Sequence, residues 1–261
     1  MTAIRDPRIP ADGEAAVPQI VDRATWQTAR DALLAREKAH THEADAIAAA
    51  RRRLPMVEVD PALTVVGPDG PVPLREAFEG RTQLVAYYFM WHPGQSAPAV
   101  CEGCTYYTAQ VQELSYLHSR DVTYAVFCRG PYPESVRYRD FMGWDVPWYS
   151  VGGSGEDLLA GRSPGMMHLI CYLRRGDRVF ETYENTLRGV QAMDYTYALL
   201  DLTVYGRQEP WEDSPPGWPQ RFDMTGGGQV RRDGRPIAQW SRVAAGRSDD
   251  LSAGTEPTRL V

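Results

Sequence analysis

Hydrophobic runs and amphipathic stripes alternate through the middle of the chain. Residues 84–90 and 122–128 are continuous apolar and aromatic runs, and each predicts a strand that is buried on both faces of a sheet. Residues 166–173 predict a third strand, and a turn at 174–177 sends the chain back along a fourth strand over 178–183. The hydrophobic pattern therefore predicts a sheet at the centre of the fold.

Stripes with helical spacing lie between and after these strands. Apolar residues at steps of three and four predict a helix over 101–119 and a last helix over 191–205. Residues 133–142 predict another helix, since a proline suits its first turn, whereas 143–165 is predicted as a loop. Parallel strands joined by helices and followed by an antiparallel pair predict an α/β fold, with a mixed sheet flanked by helices on both faces.

Both ends of the chain extend this central pattern. Residues 24–54 contain no Gly or Pro and predict one long helix, or two helices broken near residues 40–42. Beyond Gly206 the chain is rich in Pro, Gly, Arg and Trp, which predicts an irregular tail that wraps the core or a second subunit. The predicted organisation is an N-terminal arm and helical extension over 1–56, an α/β domain over 57–205 and a tail over 206–261.

Composition and charge narrow the class of protein. The 261 residues are 43% hydrophobic and 24% charged, as in ordinary globular proteins, so a disordered chain is not expected. No apolar run is long enough for a membrane span, and the first twenty residues lack the apolar core of a signal peptide. A formal net charge of −6 argues against a nucleic-acid-binding surface. We therefore expect a cytoplasmic protein that has no membrane or nucleic acid partner.

Two of the four cysteines form the sequence Cys101-Glu102-Gly103-Cys104 at the start of a predicted helix. Unpaired N–H groups and a partial positive charge at a helix N-terminus stabilise a thiolate and lower the pKa of a cysteine there. Cys101 is the expected nucleophile, and Cys104, one turn deeper, is expected to resolve a mixed disulfide. The carboxylate of Glu102 opposes this effect, because a nearby negative charge disfavours a thiolate.

Eight short segments carry a resemblance to a known family. They are Arg51-Arg52-Arg53-Leu54-Pro55-Met56-Val57, Phe89-Met90, Cys101-Glu102-Gly103-Cys104, Arg120-Asp121-Val122-Thr123, Met142-Gly143-Trp144, Pro147-Trp148, Asp194-Tyr195-Thr196-Tyr197 and Leu200-Asp201-Leu202-Thr203. Over 63–205 the chain resembles thioredoxin-like proteins. Over 24–207 it is similar to the domain of unknown function 899 family, described as predicted dithiol-disulfide oxidoreductases. The resemblance implies a thioredoxin-like domain over 57–205 that exchanges thiols and disulfides.

The resemblance also has departures and a further implied residue. Thioredoxins usually carry Trp-Cys-Gly-Pro-Cys, so a redox potential does not transfer to a pair preceded by Val100. Peroxiredoxin-like proteins place Thr or Ser where this chain has Pro98, which weakens a peroxidase interpretation. Thioredoxin-like folds carry a cis-proline facing the cysteine pair, and the resemblance makes Pro164 the candidate for this third catalytic position.

Metal binding is the alternative chemistry for the same cysteines. Soft thiolate ligands select Cu(I), and imidazole is also an acceptable ligand, so Cys101, Cys104 and His92 are a candidate copper site. A structural zinc site needs two further ligands, and no second Cys-x-x-Cys is present. Cys128 and Cys171 lie within predicted strands and are expected to be buried and inert.

The sequence thus favours an oxidoreductase that exchanges thiols and disulfides at Cys101 and Cys104, with no cofactor expected. The extensions at both ends suggest a covered site or a homodimer, and hence a small or specific thiol or disulfide substrate. A copper-binding protein or metal-dependent oxidase that uses Cys101, Cys104 and His92 is the second hypothesis. A protein that acts by interaction alone, with an idle cysteine pair, is the third.

Overall fold

The centre of the fold is one mixed sheet, seen in a computed structural model that describes residues 16–220, 222 and 231–252. Its strands are β1 (Val57–Val59), β2 (Thr64–Gly67), β3 (Gly70–Pro73), β4 (Gln83–Phe89), β5 (Val122–Cys128), β6 (Trp148–Ser150), β7 (His168–Arg175) and β8 (Arg178–Thr186). Their order is β1-β8-β7-β4-β5-β6-β2-β3. The strands β4, β5 and β6 are parallel, and every other neighbouring pair is antiparallel.

Helices connect and flank these strands. They are α1 (Arg23–Arg51), α2 (Glu102–Gln110), α3 (Ser115–His118), α4 (Tyr132–Met142), α5 (Gly155–Leu159), α6 (Tyr195–Leu200) and α7 (Trp240–Ala244). Short 3-10 turns cover Leu74–Phe78, Ala97–Ala99, Gly152–Ser154, Leu187–Met193 and Ile237–Gln239. The fold is thus the predicted α/β mixed sheet flanked by helices, with a long helical extension at its N-terminal side.

The central strands are buried on both faces, as their continuous apolar runs predict. Along β4, Tyr87 and Phe89 point into one hydrophobic core, while Ala86 and Tyr88 point into a second core on the opposite face. The first core also holds Cys104 of α2, so this face of β4 supports the cysteine pair. Side chains that alternate along a strand in this way explain why a run without polar residues forms the middle of the sheet.

The predicted helix over 101–119 is wrong in its length, because the chain leaves the helical conformation at Val111. Side chains take over the hydrogen bonds at this break: Gln112 donates to the carbonyl of Thr108 at 2.7 Å, and Glu113 accepts from the N–H of Ser115 at 2.7 Å. Such side-chain bonds compete with the backbone bonds of a continuous helix. The apolar stripe therefore spans α2, a short break and α3.

Two other predicted boundaries change in the same way. The predicted helix over 191–205 shrinks to α6, because the carboxylate of Asp194 caps it by accepting from the N–H of Tyr197 at 3.0 Å. The predicted loop over 143–165 contains the strand β6 and the helix α5. These elements have three and five residues, which is too short for a periodic pattern to show.

The extensions differ in how they meet the core. The helix α1 is continuous through residues 40–42, and none of its 29 residues is buried. The described part of the tail is irregular over most of its length but contains a small hairpin, β9 (Arg231–Arg232) with β10 (Arg235–Pro236), followed by α7. Within the described residues, no helix combines the length and the apolar character that a membrane span requires.

Candidate active site

The cysteine pair lies at the point where the chain turns from β4 into α2. Cys101 is the N-cap residue of α2, and its sulfur accepts a hydrogen bond from the N–H of Cys104 at 3.4 Å. Cys101 is half-buried, whereas Cys104 is fully buried in the core beneath it. Both are free thiols in the structure. One thiol therefore stays within reach of a substrate, and the other is held directly behind it.

The surroundings of the two sulfurs move their pKa values in opposite directions. Hydrogen bonding from the Cys104 thiol lowers the pKa of Cys101, and the N–H groups of Cys104 and Gly103 add to this effect, against burial and the charge of Glu102. Burial raises the pKa of Cys104 well above its ordinary value, and the neighbouring Cys101 raises it further. Cys101 is thus the thiol that loses its proton first.

Two buried tyrosine hydroxyls lie near Cys104. The hydroxyl of Tyr87 of β4 interacts with the Cys104 sulfur, whereas that of Tyr124 of β5 has no hydrogen-bond partner among the described residues. The pKa of each tyrosine is raised by burial first and then by the nearby Cys104. The N–H of Met90 donates to the Cys104 sulfur at 3.4 Å. The buried thiol thus has polar groups within its reach that a continuous apolar run did not predict.

Arg231, from the C-terminal hairpin, contacts the residue between the two cysteines. Its Nε lies 2.9 Å from Oε2 of Glu102, and the two side chains are 24% and 19% exposed. The same guanidinium donates to the carbonyl oxygens of Pro98 and Val100, at 2.8 Å in each case. No sequence pattern points to Arg231, because it lies 129 positions from Glu102 in a tail without periodicity.

The loop before β7 places Met167 near the cysteine pair. A Cβ atom placed on Gly103 would lie 3.5 Å from Cε of Met167 and 4.0 Å from the Cys101 sulfur. Pro164 is exposed, and the predicted cis bond is wrong, since none of the described peptide bonds is cis. The carbonyl of Pro164 instead accepts a hydrogen bond from Arg129, which holds this exposed turn in place.

The predicted copper ligands do not come together as a set. His92 is exposed, and the described residues contain no cluster of three His, Cys, Asp or Glu side chains suited to a metal ion. The loop of His92 is tied to α4, because Glu134 accepts hydrogen bonds from Trp91 at 2.8 Å and from the N–H of Gly94 at 2.7 Å. Within the described part of the chain, His92 therefore does not join Cys101 and Cys104 in such a cluster.

The other two cysteines differ from the pair in their surroundings. Cys128 is fully buried at the end of β5, and burial raises its pKa to about 12. Cys171 is half-buried on β7, and burial raises its pKa to about 11. At neutral pH both therefore stay protonated, in accord with the predicted inert role.

An apolar cavity of about 390 Å³ lies on another side of α2. Glu102, Thr105 and Tyr106 form its α2 wall, and Tyr197, Phe222 and Ile237 are among the residues opposite. Neither Cys101 nor Cys104 lines this cavity. The space therefore borders the cysteine helix without reaching the sulfurs.

Comparison with known proteins gives a family and several distant structural similarities. The family described as "Bacterial protein of unknown function (DUF899)" matches residues 15–225. No curated protein matches the chain. A Chlorobium tepidum protein described as the thiol:disulfide interchange protein DsbE is 11% identical, with a TM-score of 0.36 over 54% of this chain and 94% of its own. Thioredoxin from Wuchereria bancrofti is 12% identical, with a TM-score of 0.34 over 54% and 91%. Neither similarity transfers an activity to this chain.

Proposed function

The chain belongs to DUF899, a bacterial family of unknown function, and from the geometry of its cysteine pair we propose that it is a thiol–disulfide oxidoreductase. The observation that carries the proposal is the difference between the two thiols. Cys101 caps α2 and has a lowered pKa, while Cys104 is buried behind it with a raised pKa. This is the order of acidities that a nucleophilic and a resolving cysteine require.

In the proposed reaction the Cys101 thiolate attacks one sulfur of a substrate disulfide. The substrate S–S bond breaks, a mixed disulfide forms on Cys101, and the first substrate thiolate leaves. Cys104 then attacks the Cys101 sulfur, and its proton goes to the second departing thiolate. The protein pair is oxidised to a disulfide by two electrons, and the substrate disulfide is reduced to two thiols. The reverse sequence oxidises a substrate dithiol.

The surroundings of Cys101 favour a small or specific thiol or disulfide substrate. The nucleophilic sulfur is half-buried, with Met167 beside it and the segment 97–100 held against the C-terminal hairpin. A substrate sulfur must enter this recess with its S–S bond in line with the Cys101 sulfur, because a thiolate attacks a disulfide along the S–S axis. A second copy of the chain could cover the same recess, and size-exclusion chromatography with light scattering measures whether a homodimer forms.

Thiol titration and elemental analysis on the same preparation test the proposed function. We expect protein without stoichiometric metal that loses two thiols on mild oxidation, with peptide mapping that joins Cys101 to Cys104. The C101S and C104S variants should lose no thiol pair, whereas the matched C128S variant should behave like the unaltered chain.

Two outcomes would contradict the proposal. Stoichiometric copper or zinc that disappears in C101S would favour the metal-binding alternative at the same sulfurs. Disulfide exchange that persists in the C101S/C104S double variant would remove the pair from the reaction.

A further inference from the structure

The C-terminal hairpin binds the chain where α2 begins, through hydrogen bonds from Arg231. The Arg231 guanidinium binds the Glu102 carboxylate at 2.9 Å and reaches the carbonyls of Pro98 and Val100. It also donates to the carbonyl of Gly234 at 2.7 Å within its own hairpin. Arg231 and Gly234 lie beyond residue 225, where the family match ends. One side chain thus joins the tail to the three residues that precede and follow the nucleophile.

This contact affects the charge beside the Cys101 sulfur. The carboxylate of Glu102 raises the pKa of Cys101, so an unpaired Glu102 would oppose thiolate formation. A guanidinium at hydrogen-bond distance offsets this negative charge, and the effect is strong here because both side chains are largely shielded from water. The planar fork of arginine lets one group bind the carboxylate and two carbonyls together.

A second residue anchors the same segment independently. Gln239 is fully buried, and its Nε2 donates to the carbonyl of Ala97 at 2.8 Å and to the hydroxyl of Tyr138 at 2.7 Å. The tail therefore keeps a contact with the 97–100 segment when Arg231 is shortened. A change in Arg231 can thus alter the charge near Cys101 without releasing the whole tail.

We propose that Arg231 is a positioning residue for the Cys101 thiolate, which it supports by neutralising Glu102 and by fixing the 98–100 backbone at the start of α2. The inference rests on the proposed function, since it explains how a nucleophilic cysteine tolerates an adjacent glutamate. The C-terminal tail therefore contributes a residue to the proposed active site.

The pH dependence of Cys101 alkylation by iodoacetamide tests the role of Arg231 in the full-length chain. Mass spectrometry of the Cys101 peptide reports the rate at each pH. For R231Q we expect the midpoint of the profile to rise by about one pH unit, the lower end of the shift that an opposite charge produces, and alkylation below the midpoint to slow about tenfold. The R232Q variant is the matched control, because Arg232 is a neighbouring exposed arginine that pairs with Asp233.

Three further variants separate charge from structure. E102Q should lower the midpoint, and adding R231Q to E102Q should raise it much less than R231Q raises it in the unaltered chain, because no Glu102 charge is left to neutralise. R231K keeps the positive charge but loses the fork, so its midpoint should fall between those of R231Q and the unaltered chain. E102Q and R231K also keep the test decisive if circular dichroism shows that R231Q does not fold.

The outcomes that overturn the role of Arg231 are distinct from those that overturn the proposed function. An unchanged profile in folded R231Q, or an equal rise on adding R231Q to the E102Q background, would show that Arg231 does not act through Glu102. A failure of disulfide exchange in the unaltered chain would overturn the proposed function. In that case the alkylation profile of R231Q would still report how the Arg231–Glu102 ion pair changes the pKa of Cys101.

Discussion

Cys101 and Cys128 share one contact and differ in almost everything else. The sulfur of each accepts a backbone N–H at 3.4 Å, from Cys104 and from Gly130 respectively. Cys101 caps a helix beside a second thiol, and its pKa is lowered. Cys128 ends a strand within the core, and burial raises its pKa to about 12. One hydrogen bond therefore does not decide the reactivity of a thiol, because the cost of burying a thiolate outweighs it unless further donors are present.

Removing each sulfur is the most severe test of this comparison. C101S should lower the rate of disulfide exchange by about three orders of magnitude or more, since no other thiolate replaces the nucleophile. C128S should change the rate less than about twofold, because a serine fills nearly the same buried space. A stopped-flow assay with a small aromatic disulfide measures both rates, and equal losses in the two variants would contradict the assignment.

The pH dependence of cysteine alkylation compares the reactivity of Cys101 with that of Cys128 and Cys171 in the unaltered protein. A lowered pKa means that Cys101 becomes thiolate as the pH rises through a value below that of a free cysteine. Burial raises the pKa of Cys171 to about 11 and that of Cys128 to about 12, so these two thiols lose their protons only at high pH. At pH 8 we therefore expect Cys101 to react at least about 100-fold faster than either of them in the folded chain. Peptide-resolved mass spectrometry measures the ratio, and similar rates at all three sulfurs would refute it.

The resolving step tests the difference at Cys104. A hydrogen bond from the Tyr87 hydroxyl lowers the pKa of Cys104, against the larger effect of burial. Y87F should therefore slow release of the mixed disulfide several-fold and leave the first attack by Cys101 unchanged, since a hydroxyl donor to the forming thiolate is lost. Quenched-flow trapping separates the two steps, with Y124F as the matched control. Slowing of the first step in Y87F would show a general disturbance of the site.

The loop before β7 gives the smallest expected effect. M167A should raise the alkylation rate of Cys101 about two- to fivefold. The shorter side chain leaves the sulfur more exposed, and thiol reactivity increases with exposure. P164A should leave the rate unchanged, because Pro164 is exposed and its carbonyl is bound by Arg129. A larger effect in P164A than in M167A would return the site role to the proline.

Local patterns predicted the parts of the fold that neighbouring residues decide. The run 122–128 matches β5 at both ends, and the run 84–90 matches β4 within one residue at each end. Both strands are buried on two faces, so nearly every position is apolar, aromatic or small and the signal is continuous. The stripe over 101–119 was less reliable, because side chains of Gln112 and Glu113 end one helix and start the next.

The candidate site was only partly visible in the chain. The placement of Cys101 and Cys104 at a helix start follows from the strand before them and the stripe after them. The expected role of Pro164 came from a resemblance, whereas the closeness of Met167 to the pair followed from no pattern in the chain. A third metal ligand at His92 looked near in the sequence, yet hydrogen bonds to Glu134 tie its loop to α4.

The sequence by itself determined the central strands, the long N-terminal helix and the helix that carries two cysteines at its start. Hydrophobic periodicity and helix-end chemistry act over a few residues, and so they can be seen in the chain. The tertiary structure alone decided how completely Cys104 is buried, which hydroxyls lie near it and which cation meets Glu102. These properties depend on burial and on contacts such as that of Arg231, which bridges 129 positions, and no local pattern encodes a distance between segments that far apart.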